Sequence, residues 1–402
     1  LAIARFFEEG LQVFWGRYQL AQLYCSAGQE DKALPLFRDC VRESETALLT
    51  EGRISYELIW PMRWYTWLLR RTGATDEALR HIDRCLFDGA ARPRWTRPPI
   101  GPAAGTVDES VLLSFLSLYL ERARAHAALG KWDQTEADLD EMARLQPRSP
   151  TYQFYASCQL MKGFLRERRG DAAGAKQAWK QGTYPAYLAR LPKETRAQTP
   201  PIGSANAKEA LLHHLIMASL CDELSDSEAE KIFALFVRTL GGDTFASQMV
   251  HAIKFHPSVL REMWRSRRGR EVGRRMAFLD LSPQEFVRFP AYLIVEQKLR
   301  QDVFTSELSA EVEEQLWQIV STLGEGVFAG RIRKTQAIQI SLAYKGTTNF
   351  LGWQGVAPTL EPSLRGKLAY LLGFRYARLN RPDDAQMFFR TTVTDAPADS
   401  VL

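Results

Sequence analysis

The sequence predicts an all-α fold of stacked helix–turn–helix units. Three observations carry this expectation. One spacing of large, small, aromatic and turn residues is written five times, in the first half of the chain and again near its end. Between those copies the spacing fades, yet apolar residues keep a helical period and capping-box patterns recur. No run of alternating apolar and polar residues is long enough to demand a sheet. A unit of this kind cannot bury its apolar face alone, so copies stack and leave a groove along one side.

The copies follow one another in order. The first runs from about Phe14 to Ala47, with Leu20, Tyr24, Gly28, Ala33 and Phe37 at the repeated positions. The second, Ile59 to Arg92, keeps Gly73 and Ala78 but has Ile82 where the others favour an aromatic. The third, Leu116 to Ser149, has Gly130, Trp132, Leu139, Leu145 and Pro147, and departs at Thr135, where a small residue is expected. The fourth, Ala156 to Ala189, has Gly163, Gly170, Ala175 and Trp179 without a closing proline. The last and clearest, Gly366 to Asp399, has Leu372, Gly373, Tyr376, Asn380, Ala385, Phe389 and Pro397. Small residues let two helices approach, and aromatics fill the space between them. Gly28, Gly73, Gly130, Gly170 and Asn380 are placed to adopt the left-handed conformation that ends a first helix.

This pattern resembles the tetratricopeptide repeat, a helix–turn–helix unit of about 34 residues, over about half of the chain. The resemblance implies an α-solenoid whose concave groove, lined by the first helix of each unit, holds a peptide or protein segment. Carried over residue by residue, its ligand-facing positions fall on Trp15 and Tyr18 in the first copy. They fall on Trp60, Arg63, Trp67, Arg70 and Arg71 in the second and on Arg124 in the third. Arginines beside aromatic faces suit an acidic or carboxylate-terminated peptide.

Prolines divide the chain. A Pro-rich insertion at 92–106 separates the second and third copies and is expected as a long surface loop. A second break spans about Tyr184 to Asn206. The expected regions are therefore 1–190, with repeat-like units; 205–345, as degenerate repeats or a separate helical domain; and 357–402, with the last unit. Ser225-x-x-Glu228 and Ser282-Pro283-x-Glu285 read as capping boxes in the middle region. Lys345 to Trp353 reads as a packed turn.

Composition is that of an ordinary water-soluble chain: 402 residues, 46% apolar and 25% charged. No apolar run is long enough for a bilayer, and no secretory signal is visible. The chain begins without methionine and stops just after a repeat, so it reads as a fragment of a larger bacterial multidomain protein of the cytoplasm. Cys25, Cys40, Cys85, Cys158 and Cys221 are odd in number and widely spaced, which reads as buried thiols rather than a disulfide framework. The adjacent His213 and His214 point about 100° apart on a helix and do not share a metal easily. His251 and His256 suit one helical face poorly. Gly324-Glu325-Gly326 with Gly330 lacks the lysine of a phosphate loop. No metal, no cofactor and no catalytic residue is expected.

Arg261 to Met276 carries Arg261, Arg265, Arg267, Arg268, Arg270, Arg274 and Arg275 against two glutamates, a surplus that matches the chain's net charge of +5. Such a patch can bind phosphate or an acidic partner; the plainer reading is a helix face salt-bridged to neighbouring carboxylates. The favoured function is a non-catalytic interaction scaffold. The alternative is a regulatory or sensing region of a larger signalling enzyme, a Ser/Thr kinase or a nucleotide-hydrolysing switch protein. Nucleic-acid binding through the arginine patch is weaker, since Trp264 alone supplies an aromatic there.

Overall fold

Short turns join neighbouring helices into pairs, four of them built around one left-handed residue. The computed structural model describes residues 2–26, 29–51, 59–88, 92–93, 109–145, 151–198, 208–221, 262–278 and 350–395, with single positions between 225 and 343. The described chain is helical almost throughout. In its first part α1 (Ala2–Ser26) pairs with α2 (Glu30–Glu51), and α3 (Ile59–Arg71) with α4 (Thr75–Leu86). Likewise α5 (Glu109–Ala128) pairs with α6 (Trp132–Leu145), and α7 (Tyr152–Arg168) with α8 (Ala172–Gly182).

The turns explain the pairing. Gly73, Gly130 and Gly170 have φ of +81°, +70° and +81°, and Asn380 has φ of +57°. A side chain at such an angle clashes with its own backbone, so glycine is favoured and asparagine is next best. The residue after each turn donates its N–H back to the carbonyl five residues earlier. These bonds are Ala74 to Leu69 at 2.7 Å, Lys131 to His126 at 2.9 Å, Asp171 to Arg166 at 3.0 Å and Arg381 to Tyr376 at 3.0 Å. Gln29 makes the same bond to Tyr24 at 2.9 Å; Gly28 itself lies outside the described residues. This closure satisfies carbonyls that the helix end would otherwise orphan.

Small residues then set how closely each pair packs. Ala33, Ala78, Ala175 and Ala385 are buried. A Cβ on Gly163 would run into the indole of Trp179, and one on Gly373 would lie 2.6 Å from Phe389 Cε1. Thr135, the departure in the third copy, is fully buried because its hydroxyl donates to Lys131 O at 3.0 Å.

Two segments expected as a proline-marked break and as a turn form helix. Within the second break, α9 (Tyr184–Arg190) and α10 (Lys193–Gln198) are short helices. Pro185 sits in the first turn of α9 and Pro192 just before α10, where a missing N–H costs nothing. Likewise Phe350 to Trp353 opens α13 (Phe350–Val356) instead of ending a turn. Of the first insertion only Arg92 and Pro93 are described, paired antiparallel with Asp88 and Phe87. The remaining elements are α11 (Lys208–Leu220), α12 (Arg267–Phe278), α14 (Pro362–Arg378) and α15 (Pro382–Asp395).

The elements fall into two compact units. One comprises Leu1–Cys221 with Arg274–Gln284, the other Asp222–Gly273 with Glu285–Leu402. In the second, Phe388 packs on Tyr376 and Trp353, and Arg365 clasps Asp395 from α14 to α15 at 2.5 and 2.7 Å. Ser225 and Glu228 close the expected capping box reciprocally, Glu228 N–H to Ser225 Oγ at 3.3 Å and Ser225 N–H to Glu228 Oε2 at 3.2 Å. The box expected at Ser282 lies outside the described residues. Among the described residues no helix is long and apolar enough to cross a membrane.

Candidate functional site

Arg63 and Arg70 lie two turns apart on α3 and so share a helix face. Glu121 and Arg124 lie one turn apart on α5. Because α3 and α5 pack together, these four residues meet. Glu121 Oε1 accepts from Arg124 Nη1 at 2.7 Å and faces Arg63 Nε at 3.4 Å, while Oε2 accepts from Arg70 Nη1 at 2.9 Å. The Glu121 side chain is 1% exposed and Arg63, the outermost member, 14%. Burial alone would push this carboxyl up; the guanidiniums of Arg124, Arg70 and Arg63 outweigh it and hold the pKa down to about 2. Glu121 is therefore ionised, and it fixes the three arginines from inside the fold.

An aromatic chain leads away from this cluster. Trp15 meets Tyr18 edge-on at 5.4 Å, Tyr18 meets Phe37 at 6.0 Å, and Phe37 stacks on Trp64 at 5.8 Å. Trp64 in turn meets Trp67 at 5.6 Å. Arg63 lies over Trp60 at 5.1 Å and Arg71 over Trp67 at 4.9 Å, with Arg71 also 3.2 Å from Glu30 on α2. Burial pushes the Tyr18 phenol up to about 12, so it stays neutral.

The eight residues expected to line the groove thus divide. Tyr18, Trp67 and Arg124 are buried, and the Arg70 side chain is nearly so. They hold neighbouring helices together, because aromatic and guanidinium planes fill the wide space that small residues leave between units. Trp15, Trp60 and Arg63 are half-buried and Arg71 is exposed. Sequence reasoning missed Glu121 and Trp64. A lone carboxylate directly after the largely apolar stretch Leu116 to Leu120, three residues before an arginine, was the one available sign of the first.

The arginine-rich stretch is bound up with carboxylates. Arg268 is buried, lies over Trp317 at 5.2 Å, and pairs with Glu271 at 2.9 Å and with Glu314. Arg267 approaches Glu313 at 3.4 Å, and Arg274 approaches Glu167 at 3.8 Å. Arg265 is exposed, Arg270 and Arg275 are half-buried, and Arg261 lies outside the described residues.

Other reactive groups are quiet. Cys40, Cys85, Cys158 and Cys221 are buried, and burial pushes the Cys158 thiol up to about 11. His213 faces Ser157 Oγ at 3.3 Å, while His214 accepts from the Tyr184 N–H at 3.2 Å, so the neighbours serve separate partners. His251, His256 and the glycines from 324 to 330 lie outside the described residues. Among the described residues no three His, Cys, Asp or Glu side chains are grouped to hold a metal. In comparisons with known proteins, no family model matches the chain, and neither does any curated protein or solved structure.

Proposed function

We propose that this chain is a non-catalytic interaction scaffold, a solenoid of tetratricopeptide-like units that holds a carboxylate-bearing peptide segment. The observation that supports it most is the shared turn closure. In all five copies the residue after the turn bonds to the carbonyl five residues back, so one helix–turn–helix unit recurs. Units of this design bury their faces by stacking and offer an elongated surface. The receiving side is the partly open edge formed by Trp60, Arg63 and Arg71. Arg63 beside the Trp60 ring and Arg71 beside the Trp67 ring combine a guanidinium with an aromatic face, a pairing that suits a carboxylate with an apolar neighbour. Glu121 faces Arg63 Nε from the buried side at 3.4 Å.

The test is fluorescence polarisation with an array of peptides ending in carboxylates or carrying acidic residues. Arg63→Ala and Arg71→Ala should each weaken the best ligand, and Arg267→Ala should not. If only Arg267→Ala loses binding, the arginine-rich stretch is the site and the groove reading fails.

A further inference from the structure

Trp264 is the lone aromatic within the arginine-rich stretch, and it is fully buried, so it has no face to offer a ligand. Folding brings other rings to the end of that stretch. Phe278, the last residue of α12, meets Trp132, the first residue of α6, edge-on at 5.9 Å. Both are half-buried, so each keeps some accessible surface. Arg168, the last residue of α7, lies over the Trp132 ring at 4.3 Å. Arg274 and Arg275 stand one helical turn before Phe278. All these residues belong to the unit formed by Leu1–Cys221 and Arg274–Gln284.

Two clefts share Trp132 as a wall. One, of about 180 Å³, is otherwise lined by Ala127, Ala128, Phe278, Arg274 and Arg275. The other, of about 350 Å³, includes Lys131, Asp133, Arg168 and Arg169 in its lining. Together the linings hold five cations and one carboxylate. Part of that charge is already answered. Arg169 pairs with Asp133 at 2.8 Å and with Glu136, and Lys131 lies 4.0 Å from Asp76. Arg274 is exposed, and the Glu167 carboxylate is 3.8 Å away, beyond hydrogen-bond length. Arg168 is also exposed and among the described residues pairs with no carboxylate; its contact is the Trp132 ring. A single carboxylate would need only one of these arginines. Cations set along two clefts that share an indole suit a ligand whose negative charges recur and alternate with flat rings. An acidic peptide repeats its charge but brings no ring to each charge, and a duplex keeps its rings stacked inside.

We propose that this surface binds a short stretch of single-stranded nucleic acid. A base enters the cleft beside Trp132 and Phe278, and Arg168, Arg274 and Arg275 hold the flanking phosphates. The site shares no residue with the peptide edge at Trp60, Arg63 and Arg71.

Fluorescence anisotropy of a labelled oligothymidylate of about 12 nucleotides, titrated with the 402-residue chain over a salt series, tests this. The single strand should bind, more tightly than a duplex of the same length, and affinity should fall as salt rises. An oligouridylate run alongside tells RNA from DNA, and binding of either supports the site. Trp132→Ala should weaken binding about 5-fold or more, and Trp132→Phe should restore most of it. Arg168→Gln and Arg274→Gln should each reduce the slope of log affinity against log salt by about 0.7. If Trp132→Ala lowers helicity by circular dichroism, Arg168→Gln and Arg274→Gln, at exposed positions, carry the test. No binding at low salt, equal binding of duplex and single strand, or wild-type affinity in both arginine variants would each overturn the proposal. So would an oligoglutamate peptide that displaces the label as well as unlabelled oligonucleotide does, which would make this an acidic-peptide surface. Arg63→Ala and Arg71→Ala should bind the oligonucleotide as the wild type does, so this site and the peptide edge fail separately. Loss of oligonucleotide binding in those two variants alone would move the nucleic acid to the peptide edge and refute the site at Trp132.

Discussion

Glu121 on α5 and Arg70 on α3 are joined at 2.9 Å with both side chains almost wholly buried. Their pairing decides what the surrounding arginines do. A buried guanidinium needs an opposite charge beside it, and the chain supplies that charge from its own third repeat unit. Arg70 and Arg124 are thereby turned into the link between two helix pairs, while Arg63 is half-buried and Arg71 exposed.

Removing Glu121 should therefore cost more than removing any one arginine. Glu121→Gln leaves the buried guanidiniums of Arg70 and Arg124, and the half-buried one of Arg63, facing a neutral amide, a loss on the order of 3–5 kcal/mol. The sign of the pH effect follows. The folded pKa of about 2 lies below the unfolded value of about 4.3, so this carboxylate contributes stability that is full above pH ~4.3 and lost as pH falls toward about 2. Thermal melts from pH 6 to 2 should show that loss in the wild type. The Gln variant should lack this component, and a parallel acid profile in both proteins would refute the assignment.

Glu296 should act in the opposite direction. Burial raises its carboxyl to about 7, because Arg300, 3.3 Å away, also serves Glu313 at 2.7 Å and compensates only in part. The folded state then holds a proton that the unfolded state releases. Stability from this group is full below pH ~4.3 and lost as pH rises toward about 7. Glu296→Gln should flatten the melting temperature across that window. A variant that keeps the wild-type slope there would exclude Glu296 as its source.

The turns were legible in the sequence because a positive φ selects for glycine or asparagine almost irrespective of what surrounds it. Gly73, Gly130, Gly170 and Asn380 are where the spacing placed them. Ser225 and Glu228 were legible for a similar reason, since a capping box is a local bond between residues three apart. Pro185 and Pro192 misled because the first turn of a helix tolerates what its interior does not. The Glu121 cluster was illegible for a different reason. Arg70 and Glu121 are 51 residues apart, and no helical period encodes which carboxylate a distant arginine will find. Trp67 and Tyr18 were placed at ligand-facing positions by the resemblance to the tetratricopeptide repeat, which gives the face of a helix but not whether a neighbouring helix already covers it.

The turn geometry can be tested by exchange. Gly170→Ala places a Cβ at φ +81° and should cost about 1–2 kcal/mol. Asn380→Gly relieves the corresponding strain at φ +57° and should gain less than about 1 kcal/mol. Chemical denaturation with unchanged slope would report both. No change in stability at either site would mean that the turns are not held in these conformations.

Gly163 and Gly373 occupy equivalent positions, yet the same substitution should affect them differently. A methyl on Gly163 meets the Trp179 indole, which is buried and packed edge-on against Phe164 at 5.3 Å, so the ring has nowhere to go. Gly163→Ala should cost about 1–3 kcal/mol, the usual range for overpacking. A methyl on Gly373 meets Phe389 Cε1 at 2.6 Å, but that ring is half-buried on the groove side of α15 and can swing outward. Gly373→Ala should then cost less than about 1 kcal/mol. Melts at concentrations where the chain is monomeric give the comparison. A Gly373→Ala penalty as large as that at Gly163 would mean that the Phe389 ring is held as firmly as the Trp179 indole.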